Sequence, residues 1–185
     1  MKCIIRLDCI VLTVLGITSC NGRQSHTLEK ISGMWECDIK EGEFVGEQRL
    51  HFAKDNKLND EKILNYHSYD SGFDFSMDVR VKISGHWKLT GESIYVRYDI
   101  DQLEIAADKN TFNIIPTESN ADMEKLEKSK YYMCNELGNK LDMYFFSEFN
   151  QISGKFLLLG KIVFLNKDSI ILENNTNKVL MRRAY

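Results

Sequence analysis

The four histidines, His26, His51, His67 and His86, are the side chains best suited to hold a metal ion or to move a proton near neutral pH. None stands at metal-ligand spacing from another, or from Cys37. The run Asp55 to Glu61 (DNKLNDE) is rich in oxygen donors but lacks the glycine that a helix-loop-helix calcium loop needs for its sharp turn, so it reads as a hairpin turn. Asp99 and Asp101 would share one face of a strand, and such a pair acts as acid and base only inside a cleft that raises one pKa. There is no Gly-x-Ser-x-Gly and no phosphate-cradling glycine loop. These residues therefore predict a protein that is not an enzyme, with no metal and no cofactor. A net charge of -3 with both signs evenly mixed leaves no basic stripe, which argues against nucleic acid as a partner.

The N-terminus carries chemistry of another kind. Lys2 and Arg6 precede an apolar run from Cys9 to Ile17, which is too short to span a bilayer of about 30 Å and of the length used by a signal peptide. The run closes on Ile17-Thr18-Ser19-Cys20, which resembles the lipobox of bacterial lipoproteins. That resemblance implies cleavage before Cys20 and attachment of acyl chains such as palmitate to its sulfur and its new amino group. Several chains anchor far better than one, since each buried CH₂ contributes about 0.8 kcal/mol. Residues 1–19 are thus expected to be a signal peptide and 20–29 a polar tether, with Asn21 to Thr27 (NGRQSHT) showing no apolar period. With Asn21 beside Cys20 in place of Asp, the known sorting rules imply the bacterial outer membrane, facing the periplasm.

Removing the signal leaves Cys20, Cys37 and Cys134. With Cys20 lipidated, Cys37 and Cys134 form one even pair in a compartment where disulfides persist. Cys37 shares the apolar face of a strand with Trp35 and Ile39, and Cys134 lies on the apolar stripe of a helix. Two alternatives stay open: a bridge stapling helix to strand, or two buried free thiols.

The elements that position these residues are mostly strands. In Asp74 to Ser84 (DFSMDVRVKIS), Phe75, Met77, Val79, Val81 and Ile83 alternate with polar residues, as in a strand with one dry and one wet face. Shorter alternating runs start at Trp35, Phe44 and Ile63, and Gly85 allows a bend before Trp87 to Leu89. Ile94 to Ile100 follows, and Gln102 to Ala107 and Thr111 to Ile115 are expected to pair around Asp108-Lys109-Asn110. After Pro116 the period changes. Met123, Leu126, Met133, Cys134 and Leu137 recur at helical spacing, which predicts one amphipathic helix over about 120–137, stopped at Gly138 and covering an end of the sheet. Strands resume over 140–149, 155–165, 169–173 and 178–183, for nine or ten in all.

A meander of short strands predicts an all-β, mainly antiparallel, up-and-down barrel over 30–185, because closure removes exposed edges. Gly33-x-Trp35 opening the first strand, Phe52 before a polar turn, Gly85-x-Trp87 followed by Gly91, and the block Ile162 to Glu173 leading to Arg182-Arg183 resemble the bacterial lipocalin-like lipoproteins. The resemblance implies that Trp35 crosses the closed end of the barrel and that Arg182 or Arg183 stacks on it, a structural contact. It further implies noncovalent binding of a small hydrophobic ligand by inward side chains, for which the candidates are Leu50, Phe52, Phe75, Met77, Val79, Val81, Val96 and Tyr98. The alternative is a filled barrel whose loops bind another envelope protein. A cavity above about 300 Å³ would favour the first and an exposed apolar patch the second.

Overall fold

The computed structural model describes residues 26–70, 72–117, 123–175 and 177–185. The signal segment and Cys20 lie outside the described residues. Helix α1 covers 26–31 and so takes up the end of the expected tether. Leu28 and Ile31 supply the apolar side of its one turn, Ile31 is fully buried, and Ser32 closes it with a backbone bond to the Leu28 carbonyl. The strands are β1 (Gly33–Glu41), β2 (Phe44–Phe52), β3 (Lys57–Asp70), β4 (Phe73–Thr90), β5 (Ser93–Tyr98), β6 (Glu104–Pro116), β7 (Leu157–Leu165), β8 (Ser169–Asn174) and β9 (Asn177–Arg183), with helix α2 (Met123–Ile152) between β6 and β7.

All the pairings are antiparallel, and eight strands close a lipocalin-like ring in the order β1-β2-β3-β4-β5-β7-β8-β9. The seam between β9 and β1 is short, joining Trp35 to Arg183 and Glu36 to Arg182. Strand β4 sets the geometry of the rest. Its 18 residues bury Met77, Val79, Val81, Ile83, Gly85, Trp87 and Leu89 in strict alternation. Its second half pairs with β5 and its first half with β6, on the same side, so that β6 is a ninth strand lying beyond the ring. The change of partner falls at Gly85, where a β-carbon would run into the Arg97 carbonyl.

Two expectations are corrected here. The segment 102–115 is not a hairpin but the single strand β6, interrupted by a bulge: Asn113 pairs with Ser76, and the next pair is Asp108 with Asp78. The turn-forming residues Asp108 and Asn110 curl the backbone locally, and Thr111 Oγ1 accepts the Asp78 amide at 2.8 Å. Strand β4 continues past the bulge, so the chain has a template to rejoin and does not reverse. The helix does not stop at Gly138 either, and the expected strand over 140–149 is its second half. Leu141, Phe145, Phe149 and Ile152 continue the helical spacing, although the cluster of aromatics there imitates a strand. A β-carbon on Gly138 would lie 3.7 Å from the Ala107 side chain, so this glycine brings α2 close to β6. The left-handed turn that ends the segment is at Gly154, with φ of +74°.

At about 45 Å long, α2 serves two cores. Leu126, Cys134 and Leu141 pack on Met77, Phe112 and Ile114 of the β4–β6 extension. Phe145 and Phe149 pack into the barrel itself.

The opposite end of the barrel is closed by side chains. Phe52 meets Trp87 edge-on at 5.2 Å, the Trp35 indole donates to the Ile31 carbonyl at 2.6 Å, and the Arg183 guanidinium lies 4.4 Å over the Trp35 ring. Arg183 also donates to the carbonyls of Lys167, Ser32 and Lys30, tying β9, the β7–β8 turn and α1 together. Arg182 lies on the outer side, opposite Glu36. Replacing Arg183 by Ala is expected to lower stability by about 2–4 kcal/mol, and Arg183→Lys to recover less than half of that because it lacks the planar fork. Urea denaturation reads both, and a loss below about 0.5 kcal/mol for Arg183→Ala would contradict the role assigned to it.

Candidate binding site at the barrel mouth

The side chains considered as ligand-lining do not line a common cavity. Leu50, Phe52, Val79, Val81, Val96 and Tyr98 all belong to the barrel core and are buried against one another. Met77 and Phe75 lie outside the ring, in the cluster beneath α2, where Phe75 also borders an outer groove of about 310 Å³. Between the two tryptophans at the base and α2 at the top, the middle of the barrel is filled.

One layer of that filling is polar. Inward positions of β3 run Leu58, Asp60, Lys62, Leu64, and Asp60 is only 2 % exposed. Its carboxylate accepts two bonds from the Gln48 side-chain amide, at 2.9 and 3.0 Å, and one from the Tyr98 hydroxyl at 2.8 Å. Burial pushes the Asp60 carboxyl above its ordinary value, against the opposing effects of the Lys62 charge and the two hydrogen-bond donors. Burial, and then the neighbouring Asp60 charge, hold the Tyr98 phenol well above its usual range.

Above this layer the mouth retains a cavity of about 210 Å³ between the barrel and the second half of α2. Its walls include Phe44, Leu64, Tyr98, Phe145 and Phe149, with Lys62 and Glu148 among the polar groups. Phe44 contacts Phe145 at 5.3 Å and Tyr144 at 5.5 Å, and Tyr98 meets Phe149 edge-on at 5.3 Å. The Lys62 ammonium lies 5.4 Å from the centre of the Phe149 ring, and this half-buried cation is in no salt bridge among the described residues. The arrangement is a half-open, aromatic-walled hollow with one ammonium in its wall, facing the Phe149 ring and the Asp60 charge, and is suited to holding a small molecule noncovalently.

Cys37 and Cys134 are free thiols, so the possible bridge between them is not formed. They belong to different cores. Cys37 packs at the margin of the barrel core with its sulfur 3.8 Å from Gln48 Oε1, whereas Cys134, on the buried face of α2, has its sulfur 3.8 Å from the Lys109 carbonyl oxygen. Burial, followed by the Asp60 and Asp38 charges, raises the Cys37 thiol to about 11, which keeps it protonated and unreactive at neutral pH. His86 lies 3.6 Å from Asp99, which also faces Arg97 at 3.8 Å, while Asp101 sits apart on a single 3-10 turn, Ile100–Gln102. Among the described residues no group of three or more His, Cys, Asp or Glu could hold a metal ion.

Sequence reasoning missed Asp60, Lys62 and Gln48, and it missed Phe145 and Phe149. The signal for the first two was present: Leu58 and Leu64 share their parity and face inward, so Asp60 and Lys62 must face inward too. Comparison with protein-family models, curated proteins and solved structures finds no match for this chain.

Because folding raises the Asp60 pKa, the folded protein holds that proton more tightly than the unfolded chain. This contribution is fully present below the ordinary carboxylate pKa and is lost as pH rises through the raised value. Asp60→Asn keeps an acceptor for Gln48 and is expected to be more stable than the parent at pH 7, with the advantage shrinking towards about pH 4. Urea titrations of both proteins across that range measure the difference, and a variant less stable at every pH would refute the assignment. For the thiols, alkylation of the unreduced mature protein is expected to be slow when native and to reach both Cys37 and Cys134 in denaturant without reductant. Failure to alkylate them there would restore the bridge.

Proposed function

We propose that this protein is a non-catalytic, lipid-anchored lipoprotein of the bacterial envelope whose lipocalin-like barrel binds a small, largely apolar ligand at its mouth, beneath α2. The observation that carries the ligand reading is the hollow of about 210 Å³ walled by Phe44, Tyr98, Phe145 and Phe149. The hollow falls short of the roughly 300 Å³ set above as the mark of the ligand reading, so a ligand held there is either small or only partly enclosed. The anchor rests on the ordered sequence of basic region, apolar run and Ile17-Thr18-Ser19-Cys20. The family reading is supported by the ring topology together with Trp35 and Arg183 at the closed end.

A second reading, docking of another envelope protein, is favoured by a different observation. The barrel interior is filled, and on α2 Tyr132, Met143 and Phe146 remain 70, 74 and 55 % exposed. Fluorescent fatty-acid binding separates the two. On the ligand reading the mature protein enhances the probe's emission, and Leu64→Phe, which narrows the hollow, weakens binding about tenfold or more. No enhancement, or affinity indifferent to Leu64→Phe, would sink the mouth site and leave the docking reading.

A further inference from the structure

We propose that the closed end of the barrel is a bilayer-contact surface, seated on anionic phospholipid headgroups, so that the mouth faces away from the membrane. The inference rests on the lipid anchor at Cys20 set out above. From Cys20 to the start of α1 at residue 26 the chain can reach about 20 Å even when fully extended. Helix α1 is fixed to the closed end: Ile31 is buried in the core, and the carbonyls of Lys30, Ile31 and Ser32 are held by Arg183 and the Trp35 indole. A nine-residue strand such as β1, tilted as in a barrel of this size, puts the mouth roughly 20–25 Å further along the axis. A tether of that length therefore brings the closed end, and not the mouth, onto the bilayer.

The surface there suits the partner. Met34, Val163, Phe164 and Tyr185 are exposed around it, and Tyr185 is 94 % exposed. Val163 is pushed out by the bulge between Ile162 and Phe164, and Met34 is held beside the C-terminus by the bond from the Ala184 amide to its carbonyl. Lys30, Lys54, Lys57, Lys167 and Arg182 stand exposed nearby, against Glu29, Asp55, Glu92 and Asp168; Asp55 is paired with Lys57, Glu92 with Lys161, and Asp168 takes the Tyr185 hydroxyl. Apolar and aromatic side chains among lysines form the combination that settles at a headgroup boundary. The rim of the mouth lacks a basic excess: Glu41, Glu43, Asp101 and Glu148 stand there against Lys40, Lys62 and Lys155.

Hydrogen–deuterium exchange on the unaltered lipidated protein tests this, comparing vesicles of phosphatidylethanolamine and phosphatidylglycerol with detergent solution. Exchange in the turns over 53–56 and 166–168 is expected to slow severalfold on vesicles, while that over 41–44 and 153–156 is unchanged. A Phe164→Ser, Tyr185→Ser variant is expected to lose that slowing yet still float with the vesicles. Slowing at the mouth turns, or equally at both ends, in protein that floats would overturn the orientation alone. Protein that does not float with vesicles would overturn the anchor, and the orientation with it.

Discussion

The fold depends on one guanidinium. Seated over the Trp35 ring, Arg183 gathers the Lys30, Ser32 and Lys167 carbonyls, so a single side chain joins the first strand, the last strand and the helix before them. Between β1 and β9 the backbone ladder covers only two positions, which makes that cluster the principal bond across the seam. Glycine at position 33 belongs to the same device. Its φ of +128° suits no other residue well, and a β-carbon there would strike the Arg183 guanidinium.

Above that base the apolar interior is interrupted by one polar layer. Aromatics seal the bottom, aliphatic side chains from β2, β4 and β5 fill the middle around Asp60, Gln48 and Tyr98, and Phe44, Phe145 and Phe149 wall the mouth. Burying a carboxylate opposes folding unless donors compensate, and three donated bonds with Lys62 nearby are that compensation. The polar layer also fixes how β2, β3 and β5 face one another, since apolar contacts alone are indifferent to small rotations. Helix α2 completes the top, and because its first half is committed to the β4–β6 extension, its second half is held across the opening by an independent core.

Much of this was legible in the residues. The strict alternation of β4 predicted a long strand with one dry face, and its length accounts for the ninth strand as well, since a short β4 would have had no room to pair with both β5 and β6. The family resemblance, and not the spacing, implied Trp35 and a C-terminal arginine at the closed end, and it left Arg182 and Arg183 open. The second half of α2 was misread. Tyr144, Phe145, Phe146 and Phe149 have strand-like composition, which masks the four-residue step of Leu141, Phe145 and Phe149 that their burial bears out. The site suffered from a related error. The run Asp55 to Glu61 looks like a polar turn, yet β3 begins at Lys57, which turns Asp60 and Lys62 to the inside. Pairing with β2 and β4 overrode the local polarity there, and the parity shared with Leu58 and Leu64 was the signal for it.

The brevity of the β1–β9 seam gives the molecule unequal stiffness along its axis. Below Cys37 the wall is stapled, whereas above it β1 and β9 share no ladder rungs, so those two strands can part without breaking a hydrogen bond between them. Above Cys37 the backbones of β1 and β9 are laddered only to their other neighbours, β2 and β8, so the ring is closed there without a rung between its first and last strands.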